Sequence, residues 1–216
     1  MAQLVYSPDA FNADTLDKAK QLSLLAGTPI PEKVRWDDEV KMLCGTMARE
    51  LMLRKGDLIL DYGCGVGRLA RELCSLGCDV VGVDISPSMR RYAMEYVNAP
   101  GHFVALAPEE LLLLVNKGLR CDHACVAWML QHSPNVNADI SVIARALKGL
   151  GGVFVADNRN MRLVPVQGGQ WCNDNVDIWR LLELNFGTRS NTAYPGNWGA
   201  DPSKIMIRTF MKTTNQ

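Results

Sequence analysis

The residues best suited to chemistry sit in one short run, Ile59-Leu60-Asp61-Tyr62-Gly63-Cys64-Gly65-Val66-Gly67. An acid followed by alternating glycines is a pattern for holding a ligand against the backbone. Glycine adopts positive φ without strain and has no Cβ to keep a ligand away. Further on, Gly82-Val83-Asp84 supplies a second acid, and a carboxylate at the end of a strand can accept hydrogen bonds from both vicinal hydroxyls of a ribose. The loop and the two acids imply an adenosine-containing ligand. Of the three histidines, His132 is the best placed to act as a base, because His102 and His123 begin or line strands. Asp157-Asn158 at the end of a strand reads as a helix or loop cap, and no metal is expected.

These groups need elements that bring them to one place, and the apolar spacing supplies them. Val40, Leu43, Cys44, Met47 and Leu51 recur at helical spacing behind the caps Asp37 and Asp38, with Gly56 placed to end the helix. A strand from Leu58 to Tyr62 leads through the glycines into a helix from Arg68 to Ser75, stopped by Gly77. Asp79 to Asp84 is a second strand. Ser86 as N-cap and Pro87 at the first position open a helix with Met89, Tyr92, Ala93, Tyr96 and Val97 facing inward. His102 to Leu106 is a third strand, and Pro108 opens a helix running to Asn116. The runs His123 to Trp128 and Val153 to Asn158 are strands, with a helix from Ala138 to Leu147 between them. Beyond them, Arg159 to Cys172 reads as a long loop of the kind that shapes a substrate site, in which Arg162, like Arg159, could attract an acidic acceptor or face solvent. Asn175 to Phe186 reads as helical. Thr188 to Tyr194 and Lys204 to Lys212 read as extended segments pairing antiparallel at a sheet edge. Alternation of strand and helix gives a parallel sheet covered on both faces, with ligands at the carboxyl ends of its strands.

The composition narrows the partners. The 23 basic and 23 acidic residues cancel, so nothing favours a nucleic acid, and the basic pairs Arg68/Arg71 and Arg90/Arg91 read as solvated helix faces. Seven irregularly spaced cysteines and no secretory pattern suit a reduced, cytoplasmic protein. No apolar run reaches the ~20 residues of a membrane span.

Which adenosine ligand follows from the glycine spacing. A dinucleotide loop needs G-x-G-x-x-G, whereas Arg68 follows Gly67 here and the pattern is G-x-G-x-G. From Trp36 to Asn158 the sequence resembles the class I S-adenosylmethionine (SAM)-dependent methyltransferases. The resemblance rests on the acid-x-G-x-G-x-G loop, Asp84, Cys121-Asp122 before the fourth strand and Leu147-Lys148-Gly149-Leu150-Gly151-Gly152 before the fifth. It implies a doubly wound, mostly parallel seven-stranded sheet with helices on both faces and an antiparallel C-terminal hairpin. The expected organisation is one domain over 1–216: an arm or lid (1–35), a cofactor-binding core (36–158), and a substrate loop, helix and terminal strands (159–216). Carried over by position, Asp61 would orient the ammonium of SAM. Gly63, Cys64 and Gly65 would face its amino-acid and ribose portion, and Asp84 would hold the ribose. Ile85 and Met89 would pack on the adenine, whose edge the backbone of Ala107, Pro108 and Glu109 would read. The acid that many relatives carry near the end of the third strand is absent here.

Methyl transfer is an in-line displacement in which the protein chiefly aligns a nucleophile and excludes water. The implied activity is transfer to a small-molecule acceptor, leaving S-adenosyl-L-homocysteine (SAH). His132 is the candidate base, and Trp128, His132, Asn158, Arg159 and Trp171 are candidate acceptor contacts. Two rival readings are a non-catalytic SAM-binding module and a nucleotide-dependent oxidoreductase. The second is disfavoured by the glycine spacing and by the lack of a Tyr-x-x-x-Lys pair.

Overall fold

The structure, a computed structural model, describes residues 5–24, 30–198 and 201–213. Five parallel strands form its centre: β1 (Leu58–Tyr62), β2 (Asp79–Val83), β3 (Phe103–Leu106), β4 (Cys121–Ala127) and β5 (Leu147–Asn158). Between them run α2 (Glu39–Leu51, ahead of β1), α3 (Arg68–Ser75), α4 (Pro87–Val97), α5 (Pro108–Asn116) and α6 (Val136–Ala146), and α1 (Leu16–Leu24) lies in the N-terminal arm. A small hairpin of β6 (Val164–Val166) and β7 (Gln170–Cys172) follows, then α7 (Ile178–Asn185), β8 (Phe186–Thr192) and β9 (Ile205–Lys212). The main sheet has seven strands in the order β3-β2-β1-β4-β5-β9-β8. β9 runs antiparallel to both β5 and β8, so the expected terminal hairpin is present. The order reverses between β1 and β4, which opens a crevice at their carboxyl ends.

The central strands are continuous apolar runs because helices cover both sheet faces. Ile59, Leu60, Cys125 and Val155 are fully buried. One core packs α5, α6 and α7 on the Leu60, Val126 and Val155 side, and the other packs α2, α3 and α4 on the Ile59, Cys125 and Phe154 side. Each large apolar side chain so buried contributes about 1.5–3 kcal/mol. Ser86 caps α4 as expected: its Oγ accepts the Met89 N–H at 3.3 Å, ahead of Pro87.

Three expectations change. Asp37 and Asp38 do not cap α2; they lie in a wider helical turn, Val34–Asp38, that runs straight into it. The helix ends at Met52, which takes the left-handed conformation (φ 55°) that Gly56 was expected to supply. The stretch after β5 is no open loop, because Val164–Val166 pairs antiparallel with Gln170–Cys172 across Gly168 and Gly169, both at positive φ. Tyr6 bridges to Val166, with Ser7 N–H donating to Pro165 O at 3.0 Å, so the arm adds a third extended segment to that hairpin. Farther along, Ala13 N–H donates to Ser88 Oγ at 2.9 Å and Asn12 Oδ1 accepts from Ser86 Oγ at 2.9 Å. The arm thus spans from the hairpin to the start of α4. Residues 1–4 and 25–29 of the expected arm lie outside the described residues. Among the described residues, no helix is long and apolar enough to cross a membrane.

Candidate functional site

A cleft of about 830 Å³ opens at the reversal point, floored by the ends of β1, β2 and β4 and roofed by the arm. Its first wall is the glycine loop. The chain leaves β1 through Gly63 (φ 84°) and Gly65 (φ 54°), both left-handed. Gly63 and Cys64 donate their N–H groups to Val83 O at 2.8 and 2.9 Å, which ties the loop to β2. Cys64 turns its thiol away, against Gly82, where an added Cβ would lie 2.9 Å from its Sγ. Asp84 accepts from Gly65 N–H through Oδ2 and from Ser86 N–H through Oδ1, both at 2.9 Å. Burial pushes the Asp84 carboxyl up while these donors hold it down. Each carboxylate oxygen keeps a further lone pair for a ligand hydroxyl. Met129 roofs the loop so closely that a Cβ on Gly63 would overlap it, and Ser23 of α1 stands 2.9 Å from where a Gly65 Cβ would be.

The floor is charged. Asp61 is 2% exposed; its Oδ1 accepts from Cys125 Sγ at 3.4 Å, and its Oδ2 has no partner among the described residues. Burial raises its pKa to about 6, against the pull of the Cys125 hydrogen bond. Beside it lies a buried ionic cluster. Glu39 pairs with Arg68 at 2.7 Å and with Arg35 at 3.7 Å and accepts from Tyr194 Oη at 2.6 Å. Arg68 also donates to Arg35 O, and Arg35 to Leu24 O. Two guanidinium groups face one carboxylate, and Arg35 Nε is left without a hydrogen-bond partner among the described residues. The Arg35 guanidinium lies 5.7 Å from the ring of Trp128, whose buried indole N–H is likewise unpartnered among them. Trp128 itself sits at φ 58°, a conformation costing a bulky residue about 1–3 kcal/mol. Its backbone N–H is fixed by Ala156 O at 2.7 Å.

The far end of the cleft is aromatic. His132 lies in a short turn, Leu130–His132, after β4. Its Nδ1 is 2.7 Å from Leu163 O; a carbonyl only accepts, so Nδ1 carries the hydrogen and Nε2 carries the lone pair. Nε2 is buried and has no partner among the described residues. Burial lowers the pKa of this imidazole to about 4, opposed by the Leu163 bond, so the ring is neutral at pH 7. Phe11 from the arm packs edge-on at 5.4 Å, and Trp171 lies at 5.5 Å on its outer side. Asp157 accepts from Gln131 N–H at 3.2 Å and Asn158 N–H at 2.8 Å, which is the capping role read from the sequence; burial raises its pKa to about 7.

Of the residues singled out from the sequence, Asp61, Gly63, Cys64, Gly65, Asp84, Ile85, Met89, Pro108, Trp128, His132 and Asn158 all line this cleft. Four do not. Ala107 gives its N–H to Glu110 at 2.7 Å and Glu109 is exposed; neither is among the residues lining the cleft. Arg159 is exposed and bonds through its N–H to Lys204 O at 2.8 Å. Trp171 is 42% exposed and stands behind His132. Arg68, read as solvated, is 7% exposed and lines the cleft. Arg162, read as attracting an acidic acceptor or facing solvent, is buried on Asp174. The sequence reading missed Arg35, Glu39, Tyr194, Met129 and Ser23. Only Arg35, a cation beside Trp36 ahead of a helix, left a local trace.

Residues 60–156 match the family model described as a methyltransferase domain. The chain is 29% identical over 146 residues to a ubiquinone biosynthesis O-methyltransferase of Thiobacillus denitrificans, covering 65% of this chain and 58% of that protein. It thus spans little more than half the length of that relative. A namesake in Azorhizobium caulinodans is 28% identical over 179 residues, covering 76% of this chain and 70% of that one. Among solved structures, N-methyltransferase NodS of Bradyrhizobium japonicum, in complex with SAH, superposes with a TM-score of 0.66 at 13% identity, over 94% of this chain and 98% of that chain. That likeness is one of fold.

Proposed function

We propose, from the match of residues 60–156 to a methyltransferase-domain model and the likeness to O-methyltransferases, that the chain is a SAM-dependent methyltransferase that binds SAM in this cleft and methylates a hydroxyl oxygen of a small, mostly apolar acceptor. The observation that carries the reading is a set of four buried polar atoms, none hydrogen-bonded among the described residues and all on residues of one cleft: Asp61 Oδ2, Trp128 Nε1, His132 Nε2 and Arg35 Nε, which meets only Glu39, in an ion pair at 3.7 Å. A buried polar atom without a partner costs about 1–3 kcal/mol, so four in one place indicate a ligand that completes them. The set has the chemistry of an α-amino acid at one end, with an acceptor for an ammonium (Asp61) and donors for a carboxylate (Arg35 and Trp128). Asp84 would take the ribose, and Met89 and Ile85 would pack on the base.

Bound there, SAM supplies a methyl group already activated on a sulfonium. The protein's part is to align the acceptor and keep water out. Arg35 and Arg68 offset the cofactor carboxylate, so the floor does not collect negative charge. Phe11, Tyr6, Met161 and Leu163 give the other end an apolar wall that suits an aromatic or aliphatic alcohol. His132, held neutral, accepts the acceptor hydroxyl's hydrogen at Nε2 and takes the proton as the oxygen loses it. The choice of oxygen over nitrogen is supported by the names of the curated relatives.

The test is incubation with methyl-labelled SAM and matched panels of phenols, alcohols and amines, with the product read by mass. Label on a hydroxyl acceptor supports the proposal. SAM binding with no transfer to any panel would favour a non-catalytic module instead.

A further inference from the structure

Arg162 is 2% exposed, although it lies in the connection between β5 and the hairpin. Its guanidinium grips Asp174 in a two-point fork, Nε to Oδ1 and Nη2 to Oδ2, both at 2.9 Å. The same group donates to Leu130 O, and to Ser133 O at 2.6 Å. These two carbonyls bracket the turn that carries His132. The next residue completes the grip. Leu163 N–H donates to Gln131 O at 2.8 Å, and Leu163 O accepts from His132 Nδ1 at 2.7 Å. One arginine therefore locks two segments, 130–133 and 162–163, against each other and against Asp174. The planar guanidinium can serve three acceptors at fixed angles; an ammonium cannot.

We propose that Arg162 is the positioning residue for His132, holding Leu163 O against Nδ1 so that the Nε2 lone pair faces the cleft. The inference rests on the reading of His132 as the group that receives the acceptor proton. An imidazole with a carbonyl fixed at Nδ1 has one tautomer, whereas one released from it exchanges between both. The tautomer decides whether the atom facing the cleft accepts a proton or offers one. Misplacing a reacting group by about 1 Å costs roughly 100-fold in rate, so a clamp of this kind bears on turnover without touching the substrate.

The experiment is two-bond 1H–15N correlation on the 15N-histidine-labelled chain at neutral pH, with His132 assigned from His132→Gln. The parent should show His132 as the pure Nδ1–H tautomer. Arg162→Lys keeps the charge and loses the fork, and Asp174→Asn keeps the arginine and loses its counter-charge. Both should shift His132 toward averaged nitrogen signals and leave His102 and His123 unchanged. Parent-like His132 signals in both variants would overturn the proposal, and if Arg162→Lys does not fold, Asp174→Asn decides alone. SAH is titrated into the same samples as a separate readout. A parent that does not bind SAH refutes the methyltransferase reading and leaves the tautomer result standing.

Discussion

Replacing Glu39 by Gln should destabilise the protein, because it neutralises the carboxylate that two buried guanidinium groups share. Glu39 is fully buried and is the carboxylate that faces both Arg68, at 2.7 Å, and Arg35, at 3.7 Å. The amide of the Glu39→Gln variant would keep one acceptor for Tyr194 or Arg68 but leave two buried guanidinium groups without a counter-charge. Loss of one partner from a buried ion pair costs about 3–5 kcal/mol; the retained hydrogen bond argues for the lower end, about 3 kcal/mol. A domain of this size shifts about 2–4 °C per kcal/mol, so Tm should fall by about 6–12 °C in calorimetry at pH 7. Tyr194→Phe removes one hydrogen bond and should cost about 1 kcal/mol, or about 2–4 °C. Saturating SAH supplies a carboxylate to the same guanidinium groups, so it should raise Tm of Glu39→Gln by more than it raises that of the parent. A Glu39→Gln variant within about 2 °C of the parent would refute the reasoning.

Other consequences can be measured on the same protein. Asp61 has a pKa raised to about 6 by burial and must ionise to pair with an ammonium. SAH affinity should therefore fall as pH drops below about 6, approaching tenfold per unit, and calorimetry on Asp61→Asn should show that slope gone. His132 has a pKa lowered from 6.5 to about 4, so the unfolded chain binds the proton first and stability is lost as pH falls from about 6.5 to 4. That contribution amounts to about 3 kcal/mol and should appear as a stability difference between parent and His132→Gln that shrinks over this window in urea titrations. Gly63→Ala places a Cβ on Met129 at φ 84° and should cost about 2–4 kcal/mol by urea unfolding; a neutral outcome would mean that Met129 moves freely off the loop.

The sheet and the glycine-loop side of the cleft were legible because their determinants are local. The residues that make the first turn, Gly63 and Gly65, are also those that line the cleft, and alternation of strand and helix placed that turn at the right end of the sheet. What escaped was assembled at long range. Glu39 and Tyr194 meet across 155 positions, and no periodicity announces such a pair. Arg68 resembled its solvated neighbour Arg71 because both lie on a short helix with an acid, and only the docking of α2 buries one of them. The hairpin after β5 did carry a signal, Gly168-Gly169 between two short runs, although Pro165 within the first run cannot donate to a ladder. It is tolerated because the Pro165 carbonyl, rather than a nitrogen, takes the hydrogen bond from Ser7.

The most direct test of the central claim is calorimetric titration of the folded chain with SAM and with SAH, alongside Arg35→Met and Asp84→Asn. One-site binding of both ligands, weakened about tenfold or more in each variant, the equivalent of about 1.4 kcal/mol, is the predicted result. A folded parent that takes up neither ligand, or variants that bind as the parent does, would contradict the assignment of this cleft to SAM.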